Sequence, residues 1–173
     1  MGQPDTEYLA IPEVSSSARD YIPMAVLPPD VVASNQLKII PSASVLYFGI
    51  LTSTMHMAWM RTIGGRLKHD YRYAPSVYNS VPWPDLTERG RQQVVEHAQA
   101  VLDARNAYPD NTLEDLYDPD AMPPRLARAH ADLDRHTPLF GPRRPACPAF
   151  FQTKTQKAAF VKGFQGSPPG AQK

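Results

Sequence analysis

The sequence predicts an α+β fold: a small mixed β-sheet packed with a helix, then a helical C-terminal unit and a largely disordered tail. Three observations predict it. Short β-favouring runs punctuated by proline fill the chain up to residue 41, an apolar pattern of helical period replaces them from residue 44, and periodicity fails after His136. A length of 173 residues allows one domain, or one and a half. The expected units are 1–84, 85–136 and 137–173.

Residues 7–14 (EYLAIPEV) read as a short strand, and Pro12 argues for an edge position. Residues 21–27 make a second strand, again interrupted by proline and ended by Pro28-Pro29-Asp30. Residues 37–40 make a third, closed by Pro41. Val45, Phe48, Ile50, Leu51, Met55, Ala58, Trp59 and Thr62 then recur at helical spacing. They predict one helix over 44–62, stopped by Gly64-Gly65. Residues 66–73 and 77–81 read as two strands, or a strand and a loop, before Pro82-Trp83-Pro84.

The second half is helical. Val94, Val95, Ala98, Val101, Leu102 and Arg105 share one stripe of a helix over 88–107, with Thr87 as the expected N-cap. Asn111-Thr112-Leu113-Glu114-Asp115 starts a short helix ending near Tyr117. Pro123-Pro124 opens another, with Leu126, Ala129, His130 and Leu133 on one side. Beyond it, six prolines break up a tail rich in Gln, Lys, Gly and Ser, where disorder is expected apart from a weak helical turn near 156–164.

Composition bounds the function. Apolar residues make up 42% and proline fills 19 positions, about twice its usual share, which suits a folded part with a less ordered remainder. The one cysteine, Cys147, excludes an internal disulfide and a cysteine-based zinc site, and fits a reducing cytoplasm. No run of about 18 apolar residues exists to span a membrane, and MGQPDTEYLA lacks the regions of a signal peptide. The net charge of +1 hides an asymmetry: residues 136–173 hold six basic side chains and no acid, leaving 12 basic against 17 acidic in residues 1–135.

Against that acidic background, Arg61, Arg66, Lys68 and Arg72 fall within twelve residues, broken only by Asp70 and interleaved with aromatic residues. Such a stretch is the footprint of a surface that meets phosphates and base edges, so the expected partner is a nucleic acid, which the family resemblance below narrows to double-stranded DNA. If 66–73 is extended, Lys68 and Asp70 point to one face. A lysine donates to guanine and a carboxylate accepts from cytosine N4, at about 1–3 kcal/mol of discrimination per good contact. A solvated ion pair worth about 0–1 kcal/mol is the other reading. Arg61, Arg66 and Arg72 fit phosphate contacts, which account for most protein–DNA hydrogen bonds; packing of one of them on Trp59 or Tyr73 is the alternative. Tyr73, Tyr78 and Trp83 are either base-stacking platforms or core aromatics, and Tyr73 is counted in the expected DNA-binding set. His56 has no histidine or acid at i+3 or i+4 and reads as a packed residue. No acid–base, cofactor or metal constellation is visible, so no catalytic, cofactor-binding or metal-ligating residue is expected.

The words YLAIPEVSS at 8–16, FGILTSTMHMAWMRTIGGRLKHDYRY at 48–73, VYNSVPWP at 77–84 and AVLDARNAYPDNTLEDLYDPDAMPPRLARAHADLDR at 100–135 carry a family resemblance. They resemble the MmeI-like (type IIL) restriction-modification enzymes and related large adenine-specific DNA methyltransferases. The resemblance implies the later part of a target-recognition domain followed by a helical C-terminal segment, and places Lys68 and Asp70 at a position that varies with DNA specificity. It also implies a parent enzyme that transfers a methyl group from S-adenosylmethionine to adenine N6, often with a nuclease domain. This chain shows no Gly-rich cofactor loop after a strand and no Asn/Asp-Pro-Pro-aromatic word; Asn79-Ser80-Val81-Pro82-Trp83 is only superficially similar. The expectation is therefore a cytoplasmic target-recognition fragment without the catalytic domain, one that neither methylates nor cuts DNA alone and itself binds no cofactor. A module docking on a separate methyltransferase subunit, or an inert truncated gene product, are the alternatives. The resemblance is expected to end after Arg135, as a frameshift or truncation would leave it.

Overall fold

The computed structural model describes residues 4–42 and 44–137, and it is an α+β fold. The expected tail and its helical turn lie outside the described residues. The single mixed sheet becomes two three-stranded antiparallel sheets. In the first, β1 (Tyr8–Pro12) runs between β3 (Ala25–Leu27) and β4 (Leu37–Pro41). In the second, β6 (Asp70–Arg72) runs between β2 (Val14–Ser15) and β5 (Gly65–Leu67).

The expected edge position of the first strand is wrong for a definite reason. Pro12 is the last residue of β1, opposite Leu37, so its missing N–H falls where the pairing ends. The strand itself is central and buried on both faces. Leu9 and Ile11 enter the main core, while Tyr8 and Ala10 join Ile39 in a smaller one closed by Leu27, Ala33 and Leu37. Full burial stabilises by about 1.5–3 kcal/mol for each large aliphatic side chain, so the uninterrupted apolar run at 8–11 specifies this strand on both sides.

Glu13 is where the chain passes from one sheet to the other. Its N–H donates to the Gln36 carbonyl (2.8 Å) and its carbonyl accepts from the Tyr73 N–H (2.7 Å).

The expected single helix over 44–62 is two: α1 (Val45–Leu51) and α2 (Thr54–Ile63). Ser53 makes the break. Its hydroxyl donates to the Ile50 carbonyl (2.7 Å) and accepts from His56 N–H (3.4 Å), capping α2. Gly64 ends α2 in an extended conformation (φ −65°), and a Cβ there would lie 2.5 Å from the Met60 carbonyl oxygen. That glycine serves a close approach and not a left-handed turn.

Where a strand or loop is expected over 77–81, the chain forms α3 (Pro75–Asn79). Pro75 occupies the first helical turn, and the adjacent Val77 and Tyr78 are both buried, which a helix allows and a one-sided strand does not.

The helical unit follows the expectation closely. It comprises α4 (Glu88–Asn106), α5 (Leu113–Leu116) and α6 (Pro124–His136). Thr87 caps α4 through Gly90 N–H (3.1 Å), and Thr112 with Asp115 forms a capping box on α5. α4 packs on α1 through Gly49, where a Cβ would come within 2.8 Å of the Ala98 Cβ.

Polar groups tie this unit to α1, α2 and the segment before β3. Arg105, on the apolar stripe of α4, donates to the Met24 carbonyl (2.7 Å) and, through Nε, to the Tyr117 hydroxyl (2.9 Å). Its guanidinium also lies over the Phe48 ring, 4.9 Å from the centroid. The Tyr117 hydroxyl meets His130 Nε2 at 2.7 Å, and His130 stacks on Tyr21. Asp134 of α6 accepts from the Tyr21 hydroxyl and from Thr54 N–H, both at 2.8 Å, so α6 helps to cap α2.

Candidate nucleic-acid interface

The last turn of α2 and the β5–β6 hairpin carry the predicted cluster. The hairpin pairs Gly65 with Arg72, Arg66 with Tyr71 and Leu67 with Asp70, leaving Lys68-His69 as a two-residue loop. Lys68 has φ 57°, a left-handed value that a side chain disfavours. Positive φ at the first loop position and not at the second is the pattern of a type II′ turn, where glycine is the ordinary occupant. Lys68 and Asp70 therefore do not alternate along one strand: Lys68 projects from the tip and Asp70 begins β6. The premise that an extended 66–73 would aim both at one face does not hold.

The pleat divides the remaining cations. Arg72 shares a face with Val14 and Gly65, while Arg66 shares the opposite face with Tyr71 and Ser15. Arg66 lies over the Tyr71 ring, 4.5 Å from its centroid, and donates to the His69 carbonyl (3.0 Å), bracing the turn while remaining exposed. Arg61 is exposed in the last turn of α2, where a cation suits the helix dipole. Asp70 is half-buried and accepts from Ser17 N–H (3.3 Å), so it also holds the loop after β2. Among the described residues, Arg61, Arg66 and Lys68 form no ion pair.

The expected place of Tyr73 in the DNA-binding set does not hold. It is 1% exposed and its hydroxyl lies 2.9 Å from His56 Nε2, so its ring belongs to the core and has no face to offer a base. His56 is packed as expected. Burial pushes it down to about 3, and its imidazole stays neutral.

Sequence reasoning misses Glu13 and Lys38. The Glu13 carboxylate accepts from Lys38 Nζ (2.7 Å) and from Nε and Nη2 of Arg72 (3.2 and 3.0 Å). Those hydrogen bonds, Lys38 first and Arg72 second, hold the Glu13 carboxyl below the usual carboxylate range. One acid thus fixes a cation from each sheet beside the hairpin, with the exposed Gln36 adjacent through its carbonyl. The available signal is a charged residue set inside each of two apolar runs, YLAIPEV and LKII.

Comparison with known proteins decides what this surface belongs to. Residues 1–85 match the family described as MmeI, target recognition domain, and residues 86–160 match MmeI, C-terminal domain. The chain belongs to the MmeI family. It is 41% identical over 127 residues to DNA methyltransferase A of Bacillus subtilis (strain 168), covering 73% of this chain and 14% of that protein. A solved structure of the type IIL restriction-modification enzyme MmeI in complex with DNA is similar over 95% of this chain and 22% of that one, at 41% identity and a TM-score of 0.77. The chain thus spans less than a quarter of the length of either relative. The MmeI C-terminal match runs to residue 160, so the resemblance does not stop at Arg135.

The cofactor of the parent methyltransferases does not fit the described residues. The Gly64–Gly65 pair leads from a helix into a strand, the reverse of a strand–glycine–helix cradle, and no glycine among the described residues has a positive φ. Among the described residues no group of three or more His, Cys, Asp or Glu is placed to hold a metal, and no helix is long and apolar enough to cross a membrane.

Proposed function

We propose that this chain reads DNA sequence on behalf of an adenine-N6 methyltransferase of the type IIL restriction-modification kind. The observation that carries the proposal is the set of exposed cations Arg61, Arg66 and Lys68, which have no acidic partner among the described residues, on a target-recognition domain of the MmeI family. A cation left unpaired by its own protein is available to a phosphate. In this reading Arg61 and Arg66 contact the backbone and set the register, while Lys68, Asp70 and the Glu13-held Arg72 face base edges. The Tyr73 ring takes no part.

The Arg105–Tyr117–His130 network gives the helical unit a separate role, which is to keep the recognition surface at a fixed angle to whatever the helices dock on. S-adenosylmethionine belongs to the methyl transfer of the parent enzyme, and none of the described residues is assigned to it. The workplace of such a protein is the bacterial cytoplasm.

A salt titration of duplex binding tests this, with the chain and with the triple variant Arg61→Gln, Arg66→Gln, Lys68→Gln. Each phosphate neutralised contributes about −0.9 to the slope of log K against log salt, so loss of the two backbone contacts of Arg61 and Arg66 is expected to flatten it by about 2. An unchanged slope in a folded variant would rule the surface out.

A further inference from the structure

Leu67 is 51% exposed at the tip of the β5–β6 hairpin, directly opposite Asp70. By the pleat it shares a face with Gly65 and lies on the side of Asp70 and Arg72, not on the Arg66 side. Three features hold this tip in one conformation: the left-handed Lys68, the Arg66 bond to the His69 carbonyl, and the Arg66 guanidinium over Tyr71. A two-residue loop that keeps a lysine where glycine is easiest is under local strain, and the bracing around it maintains that strain. The result is a braced tip with an exposed apolar side chain and an exposed lysine beside a half-buried carboxylate.

The DNA major groove is about 12 Å wide and admits a two-stranded ribbon, whose strands lie about 4.8 Å apart. The groove wall presents one apolar group, the thymine C5-methyl. Resting on the DNA-recognition reading above, we propose that Leu67 is a specificity-determining residue that packs on a thymine methyl in the base pair next to the one faced by Asp70, its partner across the hairpin. Charged tip residues alone cannot distinguish thymine from a base lacking that methyl. An exposed leucine held between them supplies the missing contact, because its partner is desolvated only when the methyl is present.

The experiment selects duplexes from a random library with the full 173-residue chain and then replaces each selected thymine by deoxyuridine, one at a time. At one position the replacement is expected to weaken binding about four-fold, the worth of one buried methyl-sized group. The same replacement should leave Leu67→Ala unchanged, while Leu67→Met keeps the penalty. Leu67 is exposed, so both variants should fold, and melting curves check that they do. If no thymine shows the penalty, or if it persists in Leu67→Ala, the inference is overturned with DNA recognition intact. If the selection enriches no sequence at all, the recognition reading fails and takes the inference with it.

Discussion

Arg105 and the arginines near the hairpin carry the same charge in opposite circumstances. Arg105 is 7% exposed, and its guanidinium is occupied by a carbonyl, a phenol hydroxyl and two aromatic faces of its own chain. Arg61 and Arg66 stand in water without an acidic partner among the described residues. The interior charge ties the helical unit to the segment leading into β3 and to α1, and its hydrogen bonds leave little for a ligand. Arg66 spends one N–H on the His69 carbonyl and rests on Tyr71, but neither contact neutralises its charge, so it and Arg61 can still act on a polyanion. Arg72 is intermediate: Glu13 takes two of its N–H groups and leaves the rest outward.

The strongest way to break this contrast is Arg105→Ala. It leaves the Met24 carbonyl and the Tyr117 hydroxyl without their donor and opens a void over Phe48. Denaturant unfolding should show a loss of about 2–4 kcal/mol. A loss below about 1 kcal/mol would mean that the buried network does not join the two parts.

Acid should act on the interior and spare the surface cations. Burial pushes both His56 and His130 down to about 3, whereas each protonates near 6.5 once unfolded. Between those limits the unfolded chain binds more protons than the folded one. Stability is therefore full above about pH 6.5 and falls as pH drops, by up to about 1.4 kcal/mol per pH unit for each histidine. Denaturant midpoints measured from pH 7 to pH 5 check this, and a flat profile would contradict the burial of the two imidazoles.

Gly49→Ala tests the close approach of α1 and α4. The new methyl would meet Ala98 Cβ at 2.8 Å and Val94 Cγ1 at 3.0 Å. The expected loss is about 1–3 kcal/mol, against the gain that alanine ordinarily brings to a helix interior. Thermal melting reads the sign directly.

The smallest and sharpest effect is expected at the hairpin tip. Lys68→Gly relieves the left-handed residue and should stabilise the chain by about 0.5–1 kcal/mol. The same change removes a cation that the proposal gives to DNA, so duplex binding should weaken while the melting temperature rises. A variant that changes in neither respect would show that Lys68 is neither strained nor engaged.

Elements with a strong period are legible in the sequence. The stripe Val94, Ala98, Val101 and the caps Thr87 and Thr112 place α4 and α5 because the information lies within a few residues along the chain. The break at Ser53 is hidden because helical periodicity continues across it; only the serine cap and Asp134 from a distant helix make two helices of one pattern. The cluster at 61–72 is visible as charge, but its division between two faces is not, since that depends on pairings with Val14 and Ser15, far away along the chain. Glu13 escapes notice for the same reason: its two cationic partners come from different sheets.

Composition and local order alone determined the class of this protein, the positions of its long helices and the concentration of positive charge on an acidic chain. Those properties follow from short-range propensity and from counting side chains. Tertiary structure decided which arginine is buried and which is free, which tyrosine is core, and where Lys68 projects. Side-chain exposure is set by contacts between residues remote in sequence, and no local pattern records them.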